Sequence, residues 1–155
     1  MIRRLLPNDY DYIISNLNGW WGGRNVTDML PRLFFDHFHT TSFVFVDQDT
    51  VVGFVVGFIS RDNPEIAYIH FTGVDPEYRK QGVASQLYRS FISQAQSAGC
   101  RYIKCVTSPI NTDSLAYHHK LGFRATDYDD KEQPIAIDNY DGAGNHRVQL
   151  TLDIG

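Results

Sequence analysis

The sequence predicts a mixed α+β fold in which a mostly antiparallel central sheet carries helices on both faces. Hydrophobic periodicity gives the element order β, α, α, β, β, β, α, β, α, β, β along the chain. Two apolar runs flank a tight turn near Asp47–Asp49, which predicts an antiparallel hairpin. A long helical pattern between two later strands predicts one parallel crossover. The length of 155 residues is typical of one domain, which we expect to span residues 1–155.

The N-terminal part predicts one strand and two helices. Residues 2–6 form a short apolar run typical of a strand. A helix over 7–17 begins after a proline, with Asn8 or Asp9 as its cap. Apolar side chains at every fourth position predict a second helix over 28–38.

The middle of the chain predicts the centre of the sheet and the longest helix. Residues 41–47 and 50–60 are the two strands of the hairpin. Residues 65–74 are apolar on both faces, which favours a central strand. The helix over 80–99 has apolar residues at helical spacing and ends with Gly99 as a C′ residue.

The C-terminal part predicts a strand, a short helix and a final hairpin. The strand covers 101–108, and the helix covers 112–122 and is closed by its last glycine. The hairpin pairs 123–130 with 146–154 across an acidic loop.

Composition and charge restrict the possible functions. The net charge of −4 argues against nucleic acid as the main partner, because phosphate binding requires a basic surface. No apolar run approaches the ~20 residues of a membrane helix, and we expect no signal peptide in the first residues. Cys100 and Cys105 are expected to be reduced thiols, which favours a cytoplasmic location. The histidines do not form a metal-binding pattern, so we expect no metal.

A glycine and two cations stand between the central strand and the long helix. Gly82 lets a ligand approach the backbone where the first helical N–H groups have no partner, and Ala84 and Ser85 are small. Arg79 and Lys80 add positive charge beside these amides. The pattern predicts a diphosphate site; the alternative is an ordinary helix start with two solvated cations.

This segment also resembles a known family. The stretch "VDPEYRKQGVASQL" is similar to the acetyl-CoA-binding pattern V-x-P-x-x-R/Q-x-x-G-x-G/A of the GNAT superfamily of N-acetyltransferases. A second pattern, N-x-x-A-x-x-F-Y-x-K-x-G-F, resembles "NTDSLAYHHKLGF" at 111–123. The resemblance covers about 43–123 and does not identify the acyl acceptor.

The resemblance implies a cofactor cleft. In that fold the strand ending at Val74 carries a bulge and splays from the strand at 102–106, and coenzyme A lies in the gap. Pantetheine would pair with the backbone of 71–74, the pyrophosphate would lie on the amides of 79–85, and the helix after Asn111 would border the pantetheine arm. The implied cofactor-binding residues are Phe71, Thr72, Gly73, Val74, Arg79, Lys80, Gln81, Gly82, Val83, Ala84, Ser85, Asn111, Ser114, Tyr117 and His118.

Acyl transfer to an amine requires a base for the amine and favours a proton donor for the leaving thiolate. The family often places a tyrosine as that donor, and His118 occupies the corresponding position here. His118 is one candidate acid and Tyr117 the other; the alternative for His118 is packing against the cofactor or the helix surface. His70 is the candidate base, with help from Tyr68, because period-2 alternation places both on one face of the central strand with Thr72 and Val74. The alternative for His70 is a hydrogen-bonded histidine in a half-buried sheet.

The acceptor side is predicted from aromatic residues near the N-terminus. Trp20, Trp21, Arg24 and Phe34 are the candidate acceptor-binding residues, and the glycine-rich loop that holds the tryptophans could fold over a substrate or anchor a homodimer. The segment 127–142 contains six acids and one lysine, which would attract an ammonium group, although a solvated loop is the simpler reading.

The sequence therefore predicts an N-acetyltransferase that uses acetyl-CoA, without a metal. A primary amine of a small molecule or peptide would attack the thioester directly in a ternary complex. The alternative is a catalytically weak module that senses acyl-CoA or presents a protein interface.

Overall fold

The computed structural model describes residues 1–155 and shows one seven-stranded sheet in the order β1-β2-β3-β4-β5-β7-β6. Neighbouring strands are antiparallel except β4 and β5, which run parallel. The strands are β1 Ile2–Arg4, β2 Phe43–Asp47, β3 Thr50–Ile59, β4 Ile66–Val74, β5 Tyr102–Thr107, β6 Arg124–Ala125 and β7 Val148–Asp153. The helices are α1 Tyr10–Trp20, α2 Leu33–His37, α3 Val83–Ser97 and α4 Thr112–Leu121. The predicted fold class is confirmed.

Helices cover both faces of the sheet. The face beneath α1 and α2 has a core that includes Leu17, Phe35 and Phe54. The opposite face packs against α3 and α4, with Leu87 and Phe91 of α3 in its core. The sheet is thus the middle of three layers, and α3 fills the crossover between its two parallel strands.

Two glycines of β3 allow α3 to approach the sheet closely. A Cβ at Gly57 would lie 2.5 Å from Cε2 of Phe91, and one at Gly53 would lie 2.8 Å from Cγ1 of Val83. The sequence pattern of β3 therefore places small residues under α3 and large ones under α1, where Phe54 is fully buried.

The two parallel strands pair along only part of their length. Three residues of β4, Ile66 to Tyr68, pair with Tyr102 to Lys104 of β5, and the remainder of β4 has no partner on that side. Across its other edge, Val56 of β3 pairs with Phe71 while Gly57 pairs with Ile69, so His70 is the extra residue of a β-bulge. A gap therefore opens between β4 and β5 at the level of the bulge.

The bulge corrects the prediction about which side chains of β4 share a face. His70 stacks on Phe34 under α2, but Thr72 bonds with Tyr88 of α3 on the opposite face. The inserted residue shifts the alternation by one, so Thr72 and Val74 do not lie on the same face as Tyr68 and His70.

Two predicted elements are shorter than expected. The helix predicted over 28–38 is a 3₁₀ turn at Thr27–Met29 followed by α2, because Pro31 disfavours helical geometry at Leu30 (φ −131°, ψ 68°). The strand predicted over 123–130 is only β6, because the carboxylate of Asp129 accepts hydrogen bonds from the backbone N–H groups of 131 and 133 and turns the chain. No helix of the protein combines the length and the apolar character that crossing a membrane requires.

Candidate functional site

The N-terminus of α3 presents a row of free backbone donors at the mouth of the gap. The N–H groups of residues 80 to 85 make no hydrogen bond to the protein. The left-handed backbone of Lys80 (φ 62°) and Gly82 (φ 79°) turns successive amides toward one side, which is the geometry of an anion-binding nest. A Cβ at Gly82 would have only the Gln86 side chain within 4 Å, so the space above it is open.

The loop that leads into this nest is fixed at three points. The side chain of Asp75 accepts a hydrogen bond from the backbone N–H of Glu77. The hydroxyl of Tyr78 donates to Asp47 at the end of β2 at 2.9 Å. The guanidinium of Arg79 donates to the carbonyl oxygen of Trp20 at the end of α1. The loop is therefore attached to both the sheet and the opposite helical layer.

A chain of hydrogen bonds crosses the gap beneath the nest. The Thr72 hydroxyl of β4 donates to the hydroxyl of Tyr88 (3.4 Å), which lies 2.9 Å from Nε2 of His118. Nδ1 of His118 donates to the carbonyl of Ser114 at 2.8 Å, and the Ser114 hydroxyl accepts from Thr107 of β5. Because Nδ1 is the donor, Nε2 is the acceptor and Tyr88 donates to it.

Burial lowers the pKa of His118, and the hydrogen bond from His118 to the Ser114 carbonyl partly opposes this decrease. Burial also raises the pKa of Tyr88. Both ring nitrogens of His118 are thus occupied, and the imidazole is held neutral with its side chain buried. His118 therefore lies in the wall of the gap, with both ring nitrogens bonded to the protein.

Tyr117 has a more open environment than His118. Its hydroxyl contacts only the hydroxyl of Ser85 in the first turn of α3, at 3.2 Å. The side chain is half-buried between α3 and α4. Asn111 caps α4 by accepting from the N–H of Ser114 at 3.2 Å, which fixes the start of the helix that carries Tyr117.

The bulged residue His70 lies on the α1–α2 side of the gap. Its Nε2 donates to the backbone carbonyl of Met29, and its ring stacks on Phe34 with centroids 4.1 Å apart. This bond fixes the tautomer, so Nδ1 carries a lone pair; Nδ1 has no protein partner and reaches solvent. Burial lowers the pKa of His70, against opposing effects of the Met29 carbonyl and Asp141. The histidine is therefore a neutral hydrogen-bond acceptor near pH 7.

The loop between β6 and β7 places charged groups near Tyr68 and His70. Burial raises the pKa of Tyr68, and the nearby groups of Tyr140 and Asp141 raise it further. The carboxylate of Asp141 forms an ion pair with Nε of Arg147 at 2.8 Å. The charge of Asp141 also raises the pKa of His70, against the lowering effect of burial.

The four predicted acceptor residues have different environments. Trp20 is only 5% exposed and stacks on Phe54, so the structure places this predicted acceptor residue in the core. Trp21 is half-buried and packs on Phe71 at 4.9 Å, with Arg24 over its ring at 5.5 Å. Phe34 lies against His70 and so remains beside the candidate base.

Three features of the site were not predicted from the sequence. Tyr88 was noted only as part of an apolar helix face, although a tyrosine at a buried position requires a polar partner. The backbone carbonyls of Met29 and Trp20 could not be identified from the sequence, because every residue has a backbone carbonyl.

Comparisons with known proteins agree with this architecture. The sequence profile of the acetyltransferase (GNAT) family matches residues 10–123. The L-2,4-diaminobutyric acid acetyltransferase of Halalkalibacterium halodurans is 28% identical over 120 residues, which cover 77% of this chain and 63% of that protein. The matches cover from about half to just under two thirds of the length of the curated relatives.

Solved structures show the same fold. A GNAT-family structure from Desulfovibrio desulfuricans has a TM-score of 0.83 at 15% identity, covering 100% of this chain and 99% of that one. The diaminobutyrate acetyltransferase of Paenibacillus lautus, in complex with L-2,4-diaminobutyric acid and coenzyme A, has a TM-score of 0.71 at 21% identity, covering 100% and 95%. The family profile spans most of the chain and both halves of the gap, and the chain belongs to the acetyltransferase (GNAT) family.

Proposed function

We propose that this protein transfers an acetyl group from acetyl-CoA to a primary amine of a small cationic molecule, by direct attack in a ternary complex. The observation that carries the proposal is the row of free N–H groups at residues 80 to 85, at the mouth of a gap between two splayed strands. Family membership supports the acyl donor, and the relative bound to coenzyme A and diaminobutyric acid supports an amine acceptor.

The donor would lie along the gap. The pyrophosphate fits the α3 nest, where the helix dipole and the charges of Arg79 and Lys80 favour an anion. The backbone of 71–74 has no strand partner on its β5 side, which leaves an edge for the pantetheine amides. A free N–H of that edge near Val74 would stabilise the oxyanion of the tetrahedral intermediate.

His70 would serve as the base. A neutral amine attacks the thioester carbonyl, and the proton that the new ammonium loses passes to Nδ1 of His70, directly or through a water. The Met29 carbonyl keeps Nδ1 unprotonated, and the lowered pKa keeps the ring neutral at pH 7. Tyr68 lies on the same face of β4, where its ring packs on Phe58, and would assist His70.

Tyr117 is the better candidate for the proton donor to the leaving thiolate. His118 would have to break its bond to the Ser114 carbonyl to release its proton, and its Nε2 already accepts from Tyr88. The Tyr117 hydroxyl has only Ser85 as a partner and can reorient. We therefore assign His118 to the wall of the gap and keep Tyr117 as the donor.

The acceptor class follows from charge. The 127–142 loop carries six acids and one lysine, and its Asp141 raises the pKa of His70 and Tyr68 although it is paired with Arg147. Such a loop favours an ammonium-bearing acceptor. A small diamino compound is our first choice and a peptide amine the second. A cytoplasmic location and a homodimer stay predictions.

The function is tested by measuring how much coenzyme A thiol is released from acetyl-CoA in the presence of each member of a panel of amines and of peptides with a free N-terminus. Turnover of at least one amine above the hydrolysis background supports it. Tight binding of acetyl-CoA with no thiol release for any acceptor would instead favour an acyl-CoA sensor.

The role of His70 has its own test. Replacing it in His70→Gln should lower kcat/KM about 10²–10⁴-fold. The wild-type rate should rise with pH through the lowered pKa of His70, and that inflection should disappear in the variant. His37→Gln, at an exposed position of α2, is the matched control and should keep the wild-type profile. An unchanged inflection in His70→Gln would assign the base elsewhere.

A further inference from the structure

The candidate base His70 contacts one short segment of the α1–α2 layer at two points. Residues 29–34 run from the 3₁₀ turn at Thr27–Met29 into α2. The Met29 carbonyl, at the start of this segment, accepts the hydrogen bond from Nε2 of His70. The Phe34 ring, at its end, stacks on the imidazole with an interplanar angle of 8° and centroids 4.1 Å apart. The segment therefore holds the histidine by both the edge and the face of its ring.

The hydrogen bond fixes the direction of the imidazole, and the stack fixes its plane. The second side-chain torsion of a histidine has broad minima, so the ring is not oriented by its own rotamer. A single hydrogen bond at Nε2 leaves the ring free to turn about the line to the Met29 oxygen. The parallel ring of Phe34 removes that freedom, so Nδ1 keeps one direction.

Pro31 explains why the Met29 carbonyl is free to accept this bond. In a continuous α-helix the N–H of Leu33, four residues on, would donate to the carbonyl of Met29. Pro31 prevents this because it disfavours helical geometry at Leu30, which has φ −131° and ψ 68°. No backbone N–H donates to the Met29 carbonyl. The surrounding sequence otherwise favours a helix, since apolar side chains recur at every fourth position over 28–38.

The charges around His70 belong to other parts of the chain. Asp141 of the β6–β7 loop is the charged side chain that acts on the pKa of His70, and Tyr68 is its titratable neighbour on β4. Arg32, the charged residue of the 29–34 segment, lies over the Tyr10 ring at 4.1 Å. Substituting the uncharged residues of the segment therefore changes the position of the imidazole and leaves the charges near it in place.

We propose that Pro31 and Phe34 are positioning residues for His70: the proline frees the Met29 carbonyl, and the phenylalanine fixes the plane of the imidazole, so that Nδ1 has one direction when the amine reacts. This inference rests on the proposed function, in which His70 is the base. Alignment matters because a misplacement of about 1 Å in a reacting group can cost about 10²-fold in rate. Both residues act through the histidine.

Nitrogen NMR of isotope-labelled histidine, assigned with His70→Gln, tests the geometry without acetyl-CoA or an acceptor. In the wild type, Nε2 of His70 should carry a proton protected from solvent exchange, and Nδ1 should be unprotonated near pH 7. Pro31→Ala lets the helix continue, so Leu33 should donate to the Met29 carbonyl and the Nε2 proton should exchange at least about fivefold faster. Pro31→Gly, which keeps a residue that disfavours a helix, should stay closer to the wild type.

Acetyl transfer to the best amine of the panel supplies the second measurement. Pro31→Ala and Phe34→Leu should each lower kcat about 10–10²-fold and leave KM for acetyl-CoA within about twofold, because the base is then misaligned for the chemical step. Phe34→Leu should also move the pH inflection of the rate upward, toward the ordinary pKa of about 6.5, because less of the imidazole is buried. Leu33→Ala, at a 47% exposed position of the same segment, is the matched control and should keep the wild-type values.

The outcomes separate the inference from the proposed function. The inference is overturned by an Nε2 proton as protected in Pro31→Ala as in the wild type, or by a Phe34→Leu enzyme with the wild-type kcat and pH inflection. Equal losses in Pro31→Ala and Pro31→Gly overturn the role of the helix break. If circular dichroism shows that Pro31→Ala does not fold, the comparison of Phe34→Leu with Leu33→Ala decides. A wild type that releases no thiol with any amine overturns the proposed function, and the NMR result on the geometry of His70 is independent of it.

Discussion

Removing the hydroxyl of Tyr88 should destabilise the protein measurably, because that hydroxyl connects the two sides of the gap. Tyr88 is 3% exposed and donates to Nε2 of His118 at 2.9 Å. In Tyr88→Phe the ring keeps its edge contacts with Tyr117 and Phe123. The loss is therefore confined to the hydrogen bonds with His118 and Thr72 and to an acceptor nitrogen left buried without a partner.

The expected cost is about 1–3 kcal/mol of unfolding free energy, the range for a buried polar group that loses its partner. For a chain of this length that corresponds to a decrease in Tm of about 2–12 °C. Urea unfolding followed by far-UV circular dichroism measures the free energy, and thermal scans measure Tm. Tyr12→Phe is the control, because Tyr12 is 44% exposed, and it should stay within about 0.5 kcal/mol of wild type.

Removing both partners should cost less than the two separate losses. Combining Tyr88→Phe with His118→Leu eliminates the orphaned nitrogen, so the double variant should be more stable than the sum of the single changes predicts. A Tyr88→Phe protein as stable as wild type would refute the hydrogen-bonded chain across the gap.

Two further predictions concern packing and pH. Gly57→Ala should destabilise the protein by about 1–3 kcal/mol, because the new Cβ would lie 2.5 Å from Phe91 and from a backbone carbonyl of β4; Gly19→Ala, with nothing within 4 Å, should be neutral or stabilising, and chemical denaturation distinguishes the two. Because burial lowers the folded-state pKa of His118, the unfolded chain binds more protons below its ordinary pKa of about 6.5, so stability should be complete above that pH and fall as pH decreases below it. Denaturation curves from pH 5 to 8 measure this slope, which should be shallower in His118→Leu; an identical slope in both proteins would contradict the buried neutral imidazole.

The turn chemistry of the site could be predicted from sequence, and the structure agrees with it. Gly122 adopts the left-handed backbone typical of a residue that ends a helix, and Gly82 adopts the same conformation in the turn that leads into α3. The family resemblance also predicts the gap, and the structure agrees, because β4 and β5 pair only at one end. These features depend on local sequence, which a motif records directly.

The side-chain environments could not be predicted in the same way. A single inserted residue at His70 reverses the period-2 pattern of β4, and nothing in the alternation of polar and apolar residues marks it. Trp20 lies in a glycine-rich stretch that reads as an exposed loop, yet α1 extends to it and buries it against Phe54. The state of His118 depends on Tyr88, a residue 30 positions away.

The outer strands of the sheet disfavour edge-to-edge pairing with a second molecule. β1 has three residues and β6 has two, and each carries arginine. Edges this short and cationic give a second molecule little backbone to pair with and bring like charges together on approach. Concentrated solutions should therefore resist edge-to-edge polymerisation into fibrils as long as the native state persists.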